Sequence, residues 1–293
     1  MTAQEKILVT GGTGFIGKNL IKSLKNKYEV VSVSRSSKVP GVKNINIDLN
    51  VSDFSFLRKV KPDYVVYLGT ISSPKQAEKF PQQCFDSNVT VIQKFLSVAK
   101  DLNVKKIVLF SSIILYKEKT GKISENDPLN PNSNIYSLSK FLLENIAGYY
   151  RTSFGLPITV FRLSNTYGPG QDASQIPFLV PSLFDQAKDK KAIEVWNSKP
   201  IRDWVYIADI VKVIEKELKL KNSGMFNLGT GVGTSVDEVS KTIGDFYSVK
   251  VKDLKKDVSP PFKVVLDMNA LEEHLGYVPD TKVRVGLKKI YDC

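Results

Sequence analysis

Short apolar segments and helical patterns alternate along the first half of this chain. Apolar residues recur at helical spacing most clearly over 15–27, 86–102 and 136–152. Strands are predicted at 6–10, 29–33, 44–47, 63–68, 105–110, 158–163 and 225–229. Because strands that alternate with helices form βαβ units with right-handed crossovers, the pattern predicts a doubly wound α/β fold built on a parallel sheet.

A glycine-rich stretch, TGGTGFIG (10–17), lies between the first predicted strand and the first predicted helix. Gly11, Gly14 and Gly17 have the spacing G-x-x-G-x-x-G, which lets the backbone come close to a ligand. The helix that follows offers free N–H groups and the positive end of its dipole to a pyrophosphate. The strand before it and the helix after it favour dinucleotide binding over a glycine-rich turn without a ligand.

The end of the second strand is expected to meet the adenosine ribose of such a cofactor. An acidic residue there would favour NAD, but the chain has Ser34 and Arg35. A guanidinium can clamp a phosphate, so we favour NADP, with NAD as the alternative. A surface arginine is the competing interpretation of Arg35. Asp48, at the end of the third strand, is predicted to face the adenine or to form a turn.

The pattern becomes irregular after residue 167, where proline and glycine residues cluster. We predict an NAD(P)-binding Rossmann domain over 1–167, to which 206–229 returns. A smaller α/β domain over 168–293 is predicted to bind mainly the substrate. A chain of 293 residues is long enough to bury a core without disulfides or metals.

Composition excludes several classes of protein. Cys84 and Cys293 are the only cysteines and His274 is the only histidine, which argues against zinc sites and against Ser-His-Asp or Cys-His hydrolases, so no metal site is predicted. The net charge is +12, but only six of the 42 basic residues are Arg and the lysines are spread along the chain. This predicts a lysine-rich solvated surface and no nucleic-acid partner.

No apolar run reaches the roughly 18–20 residues of a membrane span. The first residues, MTAQEK, lead directly into a strand without the pattern of a signal peptide. We therefore expect a cytoplasmic protein without a membrane partner.

Tyr136 and Lys140 form a Y-x-x-x-K pair on one face of a predicted helix. The pKa of a free tyrosine is about 10 and must fall by about 3 for proton transfer near neutral pH. The lysine charge and the nicotinamide of an oxidised cofactor could together provide this change. Ser112 follows the fifth strand, at the carboxyl edge where doubly wound folds bind their ligands.

These stretches, TGGTGFIG, FSSIILY (110–116) and YSLSK (136–140), occur in an order that resembles the extended short-chain dehydrogenases/reductases of the NAD-dependent epimerase/dehydratase family. The branch that modifies nucleotide sugars is matched further at 88–89, 161–171, 201–210 and 226–231. The resemblance covers nearly the whole chain.

The resemblance implies a catalytic set of Ser112, Tyr136 and Lys140. Tyr136 would be the acid/base, Lys140 would bind the nicotinamide ribose and lower the tyrosine pKa, and Ser112 would orient the reacting oxygen and contact the substrate. The resemblance also implies that Asn165 and Arg202 contact the phosphates of a nucleotide sugar. A turn or helix cap for Asn165 and an ion pair of Arg202 with Asp203 are the alternatives.

The predicted cofactor contacts comprise the glycine loop, the ends of three strands, one helix and the acid–base pair. They are Gly11, Gly14, Phe15, Ile16, Gly17, Ser34, Arg35, Asp48, Leu49, Leu68, Asn88, Tyr136 and Lys140.

The chain departs from the family at three places. Dehydratases of the family carry an acidic pair where Ile113 and Ile114 stand, so 4,6-dehydration is disfavoured. The usual histidine after the fourth strand is replaced by Tyr67. Many relatives have an arginine that holds the nucleotide diphosphate, and the stretch 257–267 has none.

Three functions fit the sequence. The first is reduction of a 4-keto-sugar nucleotide with NADPH, and the second is a 4-epimerase of the UDP-glucose type with bound NAD. Arg35 favours the reductase, because epimerases of the family carry an acidic residue where Ser34 stands. A dinucleotide-binding sensor without catalysis is disfavoured, since it would not need the catalytic set. The family also implies a homodimer formed by the helices at 86–102 and 136–152, against the alternative of a monomer.

Overall fold

The computed structural model describes residues 4–35, 37–172, 178–189, 192–257 and 263–293. Its strands are β1 (Lys6–Thr10), β2 (Glu29–Ser34), β3 (Lys43–Asn46), β4 (Tyr64–Tyr67), β5 (Lys106–Ser112), β6 (Ile158–Leu163), β7 (Asn165–Tyr167), β8 (Ala192–Val195), β9 (Ile201–Tyr206), β10 (Met225–Leu228), β11 (Gly233–Ser235), β12 (Lys250–Asp253) and β13 (Lys263–Val264). Its α-helices are α1 (Phe15–Leu24), α2 (Phe56–Val60), α3 (Pro74–Lys79), α4 (Pro81–Phe85), α5 (Val91–Ala99), α6 (Ile135–Phe154), α7 (Leu179–Asp189), α8 (Ile207–Glu217), α9 (Val236–Tyr247), α10 (Asn269–Leu275) and α11 (Val283–Tyr291).

The largest sheet has seven strands in the order β10-β6-β5-β4-β1-β2-β3. Strand β1 pairs in parallel with β2 and β4, and the pairs β2–β3 and β4–β5 are also parallel. From β1 the strands β2 and β3 are added on one side, and β4, β5 and β6 on the other. The boundary between β1 and β4 is therefore the topological switch point, at which doubly wound sheets bind ligands. The predicted Rossmann fold class is confirmed.

Strands β1, β4 and β5 of this sheet are mostly buried along their length, which explains their largely apolar sequences. One face of the sheet packs with α5 and α6 in a core that includes Leu8, Val65, Phe95, Leu109 and Leu143. The sheet therefore fixes the positions of the loops that follow β1, β4 and β5.

Helix α6 carries the Y-x-x-x-K pair, and local sequence explains both of its ends. The side chain of Asn134 caps the N-terminus by accepting a hydrogen bond from the N–H of Ser137. The helix ends at Gly155, whose φ of 65° is in the left-handed region that glycine adopts without strain. The observed helix extends the predicted segment 136–152 by one residue at its start and two at its end.

The helix predicted over 86–102 is not regular at its start. Residues Asp86–Thr90 form a turn of π-helix between α4 and α5. A π-helical turn inserts an extra residue into the hydrogen-bond ladder and redirects the side chains beside it. Asn88 lies in this turn and is fully buried.

The chain divides into two compact units. The first comprises described residues up to Leu115, Asn130–Arg162 and Ile214–Phe226, and the second comprises Tyr116–Leu129, Leu163–Val213 and Asn227–Cys293. The predicted domain boundary at residue 167 stays a prediction, and it took no account of 116–129, which groups with the second unit.

The second unit contains two smaller sheets. Strand β9 pairs with β11, β13 and β7, and β12 pairs in parallel with β8. Helices α7, α9, α10 and α11 belong to the same unit. Over the residues that the structure describes, none of the helices combines the length and the apolar character that a membrane crossing requires.

Candidate active site

The glycine loop joins β1 to α1 in a tight turn. Gly11 has a φ of 66°, and a Cβ atom built on it would lie 2.9 Å from the carbonyl carbon and oxygen of Leu68. Gly14 is the N-cap of α1, so no side chain caps the first turn of this helix. A side chain at Gly17 would collide with the carbonyl oxygen of Gly11.

These features fit the pyrophosphate of a dinucleotide. Phe15 and Ile16 form the first turn of α1, which contains no acidic residue to repel an anion. The backbone N–H groups of such a turn and the positive end of the helix dipole are suited to bind phosphate. The chain therefore has the local structure that a dinucleotide cofactor needs.

At the end of β2, the hydroxyl of Ser34 donates a hydrogen bond to the carbonyl oxygen of Ser37. Arg35 follows it and is exposed. Asp48 forms a turn, since its Oδ1 accepts hydrogen bonds from the backbone N–H of Asn50 at 2.9 Å and from its side-chain amide at 2.8 Å. The predicted contacts of these residues with the adenosine end of the cofactor stay predictions.

The turn after β4 is held by β1. The hydroxyl oxygen of Thr10 accepts hydrogen bonds from the N–H groups of Leu68 and Gly69, both at 3.0 Å. Leu49 lies against the same turn, because a Cβ atom on Gly69 would be 2.9 Å from its Cδ1. Leu68 and Leu49 are therefore brought to one loop, next to the glycine stretch.

Ser112, Tyr136 and Lys140 are all in the first unit, and the structure brings them together. Tyr136 and Lys140 are only 4% and 2% exposed. The side chain of Ser112 lies beside that of Tyr136 and influences its pKa, and Lys140 Nζ lies 5.8 Å from the centre of the tyrosine ring. The three residues of the predicted catalytic set are thus brought together by the end of β5 and the first turns of α6.

Burial is the largest influence on the pKa values of Tyr136 and Lys140. It raises the pKa of Tyr136 to about 12, and the side chain of Ser112 works against this change. Burial also lowers the pKa of Lys140 to about 8, opposed by the nearby Cys84 and Glu144. In the protein alone the tyrosine stays protonated at neutral pH.

Asn88 is hydrogen-bonded both to Ile71 and to Ser139 of α6, the helix that carries Tyr136 and Lys140. Its Oδ1 accepts a hydrogen bond from the N–H of Ile71 at 2.8 Å, and its Nδ2 donates to the carbonyl of Ile71 and to Ser139 Oγ, both at 3.0 Å. Both ends of the side-chain amide are bonded within the protein. The predicted contact of Asn88 with the cofactor gains no support from this position and stays a prediction.

Asn165 and Arg202 lie in the second unit. In the register of β7 with β9, Asn165 lies opposite Trp204, which is two residues beyond Arg202. Asn165 and Arg202 therefore share a face of this small sheet. Burial lowers the pKa of Arg202, and the charge of Glu118 works in the opposite direction.

Asp203 does not serve as the partner of Arg202 that the sequence offered as an alternative. Consecutive residues of a strand point to opposite faces. The carboxylate of Asp203 accepts hydrogen bonds from the N–H groups of Thr230, Gly231 and Leu266. Its carbonyl accepts from the side-chain amide of Asn165 at 3.2 Å.

The model of the NAD dependent epimerase/dehydratase family matches residues 7–229, which include the glycine loop, the catalytic set and β9. The chain belongs to this family.

Curated members of the family align over almost the full length. A GDP-6-deoxy-D-talose 4-dehydrogenase of Aggregatibacter actinomycetemcomitans is 31% identical over 98% of this chain and 97% of its own. A putative UDP-glucose 4-epimerase of Methanocaldococcus jannaschii is 27% identical over 97% and 96%. The crystal structure of a Thermotoga maritima UDP-glucose 4-epimerase with UDP-glucose has the same fold, with a TM-score of 0.89, 24% identity and coverage of 98% and 97%.

The structure also shows where this member departs from the family pattern. Ile113 and Ile114 form a short 3₁₀ turn directly after Ser112. The hydroxyl of Tyr67 is buried and has no hydrogen-bond partner among the described residues. Of the stretch 257–267, which lacks the expected arginine, residues 258–262 lie outside the described part of the chain.

Two contacts of Lys140 were missed by sequence reasoning. Its Nζ donates hydrogen bonds to the carbonyl oxygen of Phe110 at 2.9 Å and to Thr70 Oγ1 at 3.2 Å. A backbone carbonyl leaves no signal in a sequence. Thr70 follows the fourth strand in the stretch YLGT, and nothing in one sequence indicates which residue of that loop reaches the lysine.

Proposed function

We propose that this chain is an NAD(P)-dependent oxidoreductase that reduces the 4-keto group of a nucleotide sugar. The observation that carries the proposal is the buried Tyr136, with Ser112 and Lys140 beside it. This arrangement provides a proton donor, an orienting hydroxyl and a positive charge at one place. A non-catalytic sensor would not need all three.

In the direction of reduction, Tyr136 donates its Oη proton to the carbonyl oxygen of the sugar. Ser112 Oγ donates a hydrogen bond to the same oxygen and holds it beside the tyrosine. Burial suits this role, since a pKa of about 12 keeps Tyr136 protonated at neutral pH. A bound reduced nicotinamide cofactor supplies the hydride.

In the reverse direction Tyr136 must lose its proton. Two positive charges favour its ionised form, the ammonium of Lys140 and the nicotinamide of an oxidised cofactor. Lys140 would also bind the nicotinamide ribose, as the family resemblance implies. The same residues can therefore work as an acid in reduction and as a base in oxidation.

The 31% identical relative named a GDP-6-deoxy-D-talose 4-dehydrogenase supports oxidoreduction at C4. A 4-epimerase remains the second candidate, supported by the relative named a putative UDP-glucose 4-epimerase. The family includes dehydratases by name. We still disfavour dehydration, because the side chains of Ile113 and Ile114 cannot protonate a leaving hydroxyl.

For the cofactor we keep NADP as the proposal and NAD as the alternative. Arg35 is exposed at the end of β2, where a guanidinium can reach a 2′-phosphate. For the substrate, Asn165 and Arg202 are the proposed contacts of the sugar-nucleotide phosphates.

We also infer a homodimer formed through α5 and α6. Tyr149 and Phe154 of α6 are 57% and 44% exposed, which leaves large aromatic surface for a second copy to cover. Sedimentation of the purified protein tests this inference, and a species of 32.7 kDa alone would contradict it. The cytoplasmic location and the lack of nucleic-acid and membrane partners stay predictions from the sequence.

The reaction is tested by following the absorbance of NADPH and NADH with a panel of UDP-, GDP- and dTDP-linked 4-keto-6-deoxyhexoses. Net, substrate-dependent consumption of the reduced cofactor is expected. In parallel, the protein as purified is incubated with UDP-glucose without added cofactor. Formation of the C4 epimer there, with no consumption of reduced cofactor by any keto sugar, would replace the reductase by the epimerase.

A further inference from the structure

The loop that follows β4 touches the ammonium group of Lys140. Thr70 Oγ1 accepts a hydrogen bond from Lys140 Nζ at 3.2 Å, and the carbonyl oxygen of Phe110 accepts another at 2.9 Å. Both acceptors are neutral. An ammonium has three protons to donate, so these two bonds set the direction of the third.

Two clamps hold this loop in place. On one side Thr10 accepts hydrogen bonds from the N–H groups of Leu68 and Gly69. On the other side the Asn88 amide bonds both backbone groups of Ile71, the residue next to Thr70. Hydrogen bonds therefore hold the backbone of the loop both before and after Thr70, which fixes the position from which its side chain extends.

Asn88 also links the loop to the helix of the acid–base pair. Its Nδ2 donates to Ser139 Oγ at 3.0 Å, and Ser139 in turn donates to the backbone carbonyl of Tyr136 at 2.8 Å. The position of Thr70 is thus tied to the turn of α6 that carries Tyr136 and Lys140.

We propose that Thr70 is a positioning residue for Lys140, whose hydroxyl oxygen holds the ammonium charged and aimed at the cofactor. The inference rests on the proposed function, in which Lys140 binds the nicotinamide ribose and favours the tyrosinate. Thr70 acts through Lys140 and takes no part in the chemistry itself.

The surroundings of Lys140 make this one hydrogen bond important. The ionisable groups that face it are Cys84 from α4 and Tyr136 and Glu144 from its own helix. Glu144 is committed elsewhere, since its two oxygens accept hydrogen bonds from Arg162 at 2.9 and 2.8 Å. Burial lowers the pKa of Lys140 to about 8, so the loss of a neutral acceptor is expected to lower it further.

The test uses three substitutions. Thr70→Val keeps the shape of the side chain and removes the oxygen, while Thr70→Ser keeps the oxygen and removes the methyl group. Thr152→Val is the matched control, because Thr152 lies on the exposed far end of α6 and its hydroxyl bonds only the backbone of its own helix. Unfolding temperatures are measured for all proteins.

The readout is the affinity for NADPH and NADH, followed by nicotinamide fluorescence across the pH range from about 6 to 10, on either side of the lysine pKa. The wild type is expected to lose affinity above about pH 8, where Lys140 loses its proton. Thr70→Val is expected to move this fall to lower pH by about one unit, because it removes one hydrogen bond to a charged group. Thr70→Ser and Thr152→Val are expected to follow the wild-type curve.

A Thr70→Val curve that superimposes on the wild type overturns the inference. So does a loss of affinity that is equal at every pH and is not rescued by Thr70→Ser, because that result marks a structural role only. A wild type that binds cofactor with no alkaline fall also overturns it. The first two results leave the proposed reaction unaffected, since the titration contains no sugar. The third also removes the binding of the nicotinamide ribose by Lys140 from the proposed function. A wild type that binds neither dinucleotide overturns the proposed function and this inference together.

Discussion

Two lysines of the first unit are both buried, but their ammonium groups have different partners. Lys106 is fully buried at the start of β5, and its Nζ lies 2.9 Å from Glu217 Oε1, which is also fully buried. It donates further hydrogen bonds to the carbonyl of Asn222 and to Ser223. Lys140 is buried almost as deeply, but the acceptors it contacts are the neutral oxygens of Thr70 and Phe110.

The difference lies in what compensates the charge. Removing an ammonium from water costs several kcal/mol, which a close carboxylate offsets for Lys106. Among the described residues Lys140 donates hydrogen bonds to neutral oxygens only. Burial therefore lowers its pKa, and its charge remains available to other groups. A lysine that must act on a tyrosine and a cofactor cannot be neutralised by a carboxylate. We infer that the first lysine is structural and the second functional.

The largest effect is expected on kcat when Tyr136, the residue on which the charge of Lys140 acts, is replaced. Tyr136→Phe removes the proton donor and keeps the ring, so kcat should fall by about 10²–10⁴-fold while the unfolding temperature and cofactor affinity stay unchanged. The control is Tyr150→Phe, a buried tyrosine further along α6 whose hydroxyl contacts Gln93. A Tyr136→Phe protein with more than half of the wild-type kcat would remove this residue from the mechanism.

The comparison itself is tested by the same substitution at both lysines. Lys106→Met removes the ammonium that lies 2.9 Å from the buried carboxylate of Glu217 and should lower the free energy of unfolding by about 3–5 kcal/mol. Lys140→Met leaves no carboxylate unpaired, so stability should hold or rise at neutral pH, while kcat should fall about 10²-fold or more. Urea unfolding and steady-state kinetics measure the two effects.

A double variant provides the control for this experiment. Replacing both partners, Lys106→Met with Glu217→Leu, removes both buried charges and should recover much of the stability that the single substitution loses. Equal destabilisation by Lys106→Met and Lys140→Met would mean that the two lysines have the same role, and the distinction would be lost.

An exposed cation gives a third case. If Arg35 binds the 2′-phosphate of NADP, Arg35→Ala removes charge-assisted hydrogen bonds worth about 1.5–3 kcal/mol. The affinity for NADPH should then fall by about 10- to 150-fold, with salt screening reducing the effect. The affinity for NADH should barely change. Equal losses for both cofactors would show that Arg35 does not read the phosphate, and a wild type that prefers NADH would favour the epimerase.

Much of the first unit could be predicted from the sequence. The seven strands of the large sheet were located to within two residues at each end. Most of them are largely apolar runs rich in Val and Ile, whereas β3 (KNIN) and β10 (MFNL) have a weaker signal. The strands around Arg202 escaped notice, since β7, β11 and β13 have only two or three residues each and IRDWVY at β9 mixes polar with apolar positions.

The predicted site shows a similar limit. Tyr136, Lys140 and Ser112 were recognisable, because each belongs to a stretch that resembles a known family. The acceptors of Lys140 were not, because a contact between the loop after β4 and α6 joins residues 70 positions apart. The π-helical turn that directs Asn88 inward also left no trace in the periodicity of 86–102. Such contacts depend on how elements pack, which a local pattern does not record.

Measured per pH unit, the smallest predicted effect is the change with pH of the stability difference between the wild type and Lys140→Met in cofactor-free protein. Burial lowers the pKa of Lys140 in the folded protein to about 8 from its ordinary value of 10.5. Between these values the unfolded chain holds a proton that the folded chain has lost, so wild-type stability rises with pH by about 1.4 kcal/mol per unit relative to Lys140→Met. Below about pH 8 both states are protonated, and the difference should be constant. Urea unfolding from pH 7 to about pH 10 measures it, with exposed Lys199→Met as the baseline. A difference that does not change over this range would mean that Lys140 is solvated in the folded protein, and the contrast with Lys106 would then have no electrostatic basis.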